Sequence, residues 1–456
     1  MMKLLSFNYT EALFLALAIS LPLSGALSTI FWMLLFMITL FQFIKNPDFW
    51  IFKQKVHYPL YLFIFLTFLS IIFAINPLES VKELKKVGQI FIMFIFIYHM
   101  KDNIGLSKKF VKYFFIGLAI SGCFGLLQYF LGINNFYAYI YIPEYLFFLK
   151  NISPNIIDFL SLNDGRIQGT QSMHITYAEL MVSGFSFLLP LYYYKYCEEK
   201  FSFKVIFLCL IFLSIIFTYT RGVWLSLFAF LLFLLVNIRN KQFYLYFLGV
   251  LFFIFFFVFL PNTLIKNTNK PVALYNISES ASIKKTEASL STQKIVRSKR
   301  SILSRVTSLS FSSNSDRIKM WQTGLNIIKE NIFFGVGPKC MIFVYDFYTV
   351  KGAKPNQGHL HNSYIQIAVD RGVPASLVFA LMLFGYWLFF LIHYLRGKDP
   401  YVKALALGGA GFIIVFVVFN VTEYAFADNE VAMMFWSILG CVFAGIYSKI
   451  EKVAQS

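Results

Sequence analysis

Apolar runs of about the length that crosses a bilayer recur along this chain. They lie near 10–27, 28–44, 58–75, 86–100, 111–132, 173–194, 204–220, 222–238, 243–261, 374–395, 403–421 and 430–448. In lipid a helix satisfies its backbone polar groups within its own segment, so the pattern predicts an all-α polytopic membrane protein with about twelve transmembrane helices. Most joins are short. Two are not: 133–172 and 262–373 are long outer loops. The expected organisation is nine spans with the first outer loop in 1–261, a long outer loop in 262–373, and three spans with a basic tail in 374–456.

The long loop has two halves. Residues 275–313 are rich in serine, threonine and lysine and show no period. A helix start then stands at Asn314-Ser315-Asp316, after which Ile318, Trp321, Leu325, Ile328 and Ile332 recur at three- and four-residue steps. That predicts an amphipathic helix suited to the membrane surface or the bundle's outer rim. Gly335-Val-Gly337-Pro338 ends it, 341–350 is apolar and aromatic, and 351–357 is a polar turn. Residues 358–372 (GHLHNSYIQIAVDRG) then gather polar groups beside a bilayer. A short helix is expected over about 362–370, separated by Gly372-Val-Pro374 from the next span.

Composition agrees: 58% of residues are hydrophobic, 20% aromatic and 14% charged, against about 25% charged in soluble domains. The formal net charge of +18 follows topology. With the N-terminus inside, the inner turns carry Lys45, Lys53, Lys55, Lys101, Lys108, Lys109, Lys112, Arg239, Arg396 and Lys398, whereas the outer short turns hold Lys82, Lys85 and Lys86 but also the acidic Glu423, Asp428 and Glu430. The positive-inside rule therefore puts both termini in the cytoplasm. The charge gives little support to nucleic-acid binding. The five cysteines are scattered without metal or disulfide spacing.

Polar groups beside lipid are expensive and mark function. Arg221 is the only charged residue from 205 to 238. As one helix that stretch would be about 50 Å long against a hydrocarbon core of about 30 Å. It must fold back, and the turn falls at Arg221-Gly222, on the outer face with His361. Arg317 lies early on the amphipathic helix. Arginines gathered at an outer surface suit a phosphate or diphosphate, because each guanidinium stays charged and forks two hydrogen bonds onto oxygens. His361 is the candidate general base, its ordinary pKa lying near working pH. Arg166, His174, Tyr219, Trp321, His359, Asn362, Tyr364 and Arg371 are candidate substrate contacts. A catalytic zinc wants three protein ligands, and nothing at ligand spacing joins His359 and His361. No metal and no cofactor is expected.

These residues resemble a known family. Arg221-Gly-Val-Trp-Leu225 fits the Arg-x3-Leu motif of bacterial O-antigen ligases, and His361-Asn362, nine residues, then Gly372 fits their His-Asn-x9-Gly motif. Between them, Arg317-x3-Trp321 followed by Gly335-x-Gly337 is similar to the loop of the wider ligase/polymerase (Wzy-C) superfamily. The motifs cover roughly 160–380, and the long outer loop between spans nine and ten matches as well. Ala375 departs from the pattern, which usually continues with Gly, Thr or Tyr. The resemblance implies a GT-C-like membrane glycosyltransferase at the periplasmic face of the bacterial inner membrane. It implies transfer of a glycan from undecaprenyl diphosphate to a hydroxyl of lipid A–core oligosaccharide, in lipopolysaccharide biosynthesis. An O-antigen polymerase or a protein O-oligosaccharyltransferase shares the donor and differs in the acceptor. A lipid-linked sugar flippase is a more distant reading, since no internal repeat is evident.

Overall fold

In the computed structural model the described residues are 9–131, 166–171, 173–194, 201–238, 311–355 and 357–454. The predicted span 243–261, most of the first outer loop and 262–310 of the second lie outside them. Contacts divide the chain into Met1–Ile238 with Asp316–Ser456 on one hand and Arg239–Ser315 on the other. The first unit holds the described helices, save the opening turn of one.

Its helices are α1 (Tyr9–Ser20), α2 (Gly25–Lys45), α3 (Tyr58–Ile72), α4 (Pro77–Val81), α5 (Leu84–Gln89), α6 (Phe91–Met100) and α7 (Ile104–Leu131). Then come α8 (His174–Tyr193), α9 (Phe201–Phe217), α10 (Arg221–Asn237), α11 (Phe311–Glu330) and α12 (Met341–Val344). The last are α13 (Ser363–Arg396), α14 (Pro400–Phe419) and α15 (Asn429–Ala454). The protein is an all-α polytopic membrane protein. Among the described residues seven helices are long and apolar enough to cross a membrane, and α1, α10 and most of α9 are shorter apolar helices.

α14 lies at the centre, against α8, α10 and α13, while α15 packs on α6 and α3 on α13. Small residues permit this closeness: a Cβ built on Gly408 of α14 would stand 2.4 Å from the Phe187 carbonyl oxygen of α8. The expected fold-back of 205–238 is present as α9, the turn 218–220 and α10. Tyr219 completes that turn at φ 50. Cys123, Cys209, Cys340 and Cys441 are free thiols.

The expected break at Gly372 is also present. α13 continues through it, but Gly372 itself is non-helical at φ 83, ψ 162. The segment after α11 passes through the kink. Val336 N donates to Val369 O at 2.9 Å, Gly337 N to Asp370 O at 3.0 Å, and Val373 N to Ile332 O at 2.8 Å. These bonds satisfy backbone groups that a kinked helix leaves open.

The predicted stripe on α11 is split. Ile318, Leu325 and Ile332 are exposed, whereas Met320 and Ile327 are buried, with Trp321 and Ile328 packed at the edge of the same core. The reason is Gly324. A Cβ there would lie 2.6 Å from Leu360 Cδ1 and 3.0 Å from Ile365 Cγ2, so the helix turns its smallest face to the segment leading into α13. Volume, more than hydrophobicity, chooses the buried face here.

Candidate functional site

Four helix ends meet on one side of the bundle: the starts of α8, α10 and α13 and the end of α14. The turn after α14, Asn420 to Tyr424, is their meeting point. Ser363 N donates to Asn420 O at 2.9 Å and Asn362 Nδ2 to Val421 O at 2.9 Å. Asn362 also caps α13 by accepting from Ile365 N at 3.0 Å. Its side chain is therefore committed to holding the backbone beside His361.

His361 stands just before that cap at φ 49, a left-handed conformation uncommon for a residue with a side chain. Its Nδ1 lies 2.8 Å from Glu423 Oε2. The other oxygen, Oε1, accepts from a terminal nitrogen of Arg317. A second Arg317 nitrogen donates to Thr422 O at 2.8 Å. One carboxylate thus joins the arginine and the histidine singled out by sequence. Glu423 is 7% exposed while Arg317 and His361 are about a third open to solvent, at 31% and 27%. Burial alone would raise the Glu423 carboxyl. The hydrogen bond from His361 and the Arg317 charge overcome it and hold the group below its ordinary value.

Arg221 is the first residue of α10 and is exposed. Gly222 brings that helix start against the same turn, since a Cβ there would be 2.4 Å from Thr422 Oγ1. Arg221 therefore begins its helix beside the turn that carries Glu423. Tyr219, two residues before Arg221, has its hydroxyl 3.4 Å from that of Tyr129. Arg166 pairs with His174 at 2.8 Å at the start of α8, and Thr176 on the next turn donates to Asp428 at 2.6 Å. These bring Arg166 and the start of α8 to the side of Asp428, the residue before α15.

The remaining candidates sort by what they touch. The exposed His359 packs edge-on against His361, ring centroids 4.2 Å apart. Trp321 donates through Nε1 to Leu360 O at 2.9 Å, fixing the residue before His361. Tyr364 donates to Val417 O at 3.2 Å and ties α13 to α14. Arg371 departs from its expected role as a substrate contact. It is 7% exposed and sits with Asp370 and Glu83, which Lys86 reaches at 2.8 Å, and it hydrogen-bonds Tyr424. Arg371 therefore braces the turn from beneath.

Glu423 is the residue that sequence reasoning passed over. It entered only as an acidic charge on the outer side, and its partners lie 62 and 106 residues away. A carboxylate in the nine-residue connection 420–428 between two spans was the available signal. Among the described residues no three His, Cys, Asp or Glu side chains are grouped to hold a metal ion.

None of the curated proteins compared matches the chain. Residues 206–380 of this multi-pass membrane protein, from α9 into α13, match the family model described as O-antigen ligase.

Proposed function

We propose that the protein transfers a glycan from undecaprenyl diphosphate to a hydroxyl of lipid A–core oligosaccharide, at the periplasmic face of the inner membrane. The family match supports ligase- or polymerase-type chemistry. The observation that carries the finer reading is the meeting of Arg317 and His361 at Glu423, with the start of α10 and Arg221 against the same turn.

Diphosphate is already a good leaving group, so the reaction needs charge neutralisation and a base. The exposed Arg221 would meet the diphosphate first, and Arg317 would share its remaining N–H groups and its charge. His361 would take the acceptor hydroxyl proton as that oxygen attacks the anomeric carbon from the side opposite the leaving group, inverting it. No metal takes part in this scheme. Arg166 and His174, across the turn, would border the acceptor. The apolar helix faces would hold the polyprenyl tail. The inner-turn lysines support the orientation with both termini in the cytoplasm.

The polymerase and protein-glycosylating alternatives share this donor half. The test offers one purified undecaprenyl-diphosphate glycan to three acceptors: core–lipid A, a second lipid-linked repeat unit, and a serine-containing protein. Product on core–lipid A alone is expected. Product on either other acceptor alone would replace the ligase reading.

A further inference from the structure

We infer that Glu423 is a positioning residue of this centre, holding the His361 proton on Nδ1 so that Nε2 faces the acceptor as the bare base. The purpose of this arrangement rests on the glycan-transfer reading above; the arrangement itself does not.

The geometry gives each carboxylate oxygen one partner: Oε2 faces His361 Nδ1 at 2.8 Å, and Oε1 accepts from Arg317. An ionised carboxylate only accepts, so the proton between Oε2 and the ring belongs to Nδ1. The histidine backbone is fixed independently. Leu360 N donates to Gln366 Oε1 at 2.9 Å, Trp321 holds Leu360 O, and Asn362 caps α13. The other charged or titratable groups around the pair are His359 against the His361 ring, Arg317, and the more distant Glu179 and Asp428, with Tyr424 next in the chain. Among these, Glu423 is the group hydrogen-bonded to Nδ1.

In the transfer step the acceptor O–H gives its proton to Nε2 while its oxygen bonds the anomeric carbon. The bond from that carbon to the diphosphate breaks, and its electron pair leaves with the diphosphate. The proton on His361 Nδ1 stays there, donated in a hydrogen bond to Glu423, whose charge balances the imidazolium.

The arginine makes the inference sharp. Arg317 can only donate. In Glu423→Gln it would draw the amide oxygen to itself and turn the amide NH2 toward His361. Nδ1 would then have to accept, and the proton would move to Nε2, where it blocks the base.

The test uses full-length protein with 15N-labelled histidine in nanodiscs, assigning His361 by loss of its signals in His361→Gln. At pH 8 the wild type should show a protonated Nδ1 and a bare Nε2, and Glu423→Gln the reverse. Glycan transfer should fall about 10³-fold or more in Glu423→Gln, with a smaller loss in Glu423→Asp and little change in donor KM. A wild-type proton on Nε2, or an unchanged tautomer in a folded Glu423→Gln protein, would overturn the inference. The wild-type reading needs no variant and no substrate. A tautomer swap in a protein that transfers no glycan would uphold the coupling and remove the ligase reading.

Discussion

Gly222 lies against the hydroxyl of Thr422, with room for a hydrogen and none for a methyl: a Cβ would sit 2.4 Å from Oγ1. This contact sets where α10 begins, and Arg221 is its first residue. A larger side chain must either turn the Thr422 hydroxyl off Phe419 O or push the helix start off the turn that carries Glu423. Gly222→Val should lower glycan transfer roughly 100-fold, the scale of an ångström-sized misplacement, and Gly222→Ala less. Steady-state rates at saturating acceptor would show it. Wild-type rates in a folded Gly222→Val protein would mean that the guanidinium position does not matter.

Arg317 makes two contacts that a lysine cannot make together, one to the Thr422 carbonyl and one to Glu423. Arg317→Lys should retain the protein in the membrane and lose most transfer, because an ammonium is a point charge without the planar fork. Arg317→Ala should also lower thermal stability, since it removes one of two partners of a buried carboxylate. The cost should be below the roughly 3–5 kcal/mol of a fully buried pair, because Arg317 is partly solvated. A thermal-shift measurement on both variants separates the two effects.

The pH dependence has a definite sign. Glu423 is held below its ordinary value of 4.5 when folded. Its stabilising contribution is therefore full above that value and is lost as pH falls through the lower folded one. At pH 5 a midpoint difference between wild type and Glu423→Gln should be present. Below about pH 4 it should shrink. Parallel curves down to pH 3 would show that the carboxylate is not held by its partners.

Gly372 stands at φ 83, and a Cβ there would meet the Phe333 carbonyl oxygen at 2.1 Å. Gly372→Ala should cost about 3 kcal/mol or more, combining a conformation nearly closed to side chains with a backbone clash. The kink in α13 orients the short helix that His361 precedes, so activity should fall with stability. A midpoint unchanged within error would show that the kink tolerates a side chain.

Much of this arrangement was legible from the chain, for identifiable reasons. The length of apolar runs placed most of the described spans, though 86–100 is broken into α5 and the short α6; the excess length of 205–238 demanded the turn at Arg221, and Gly372-Val-Pro374 marked the break in α13. Those signals are local. Glu423 was not legible, because its role comes from contacts between α11, the segment before α13 and the turn after α14. No periodicity records such contacts. The α11 stripe misled in part for the same reason: Gly324 chose the buried face by volume. Arg371 looked like a ligand because it stood near His361 in sequence, yet the helix carried it into a buried network with Glu83.

The central claim is that His361 is the base of a glycan transfer from a lipid diphosphate. The direct measurement is the single-turnover rate from a purified undecaprenyl-diphosphate glycan to core–lipid A, in EDTA, for wild type and His361→Ala side by side. Glycosylated core–lipid A and undecaprenyl diphosphate should form in equal amounts with the wild type. The variant rate should be about 10²- to 10⁴-fold lower. A variant rate within threefold of wild type, or a wild-type rate that EDTA abolishes and added metal restores, would contradict the claim.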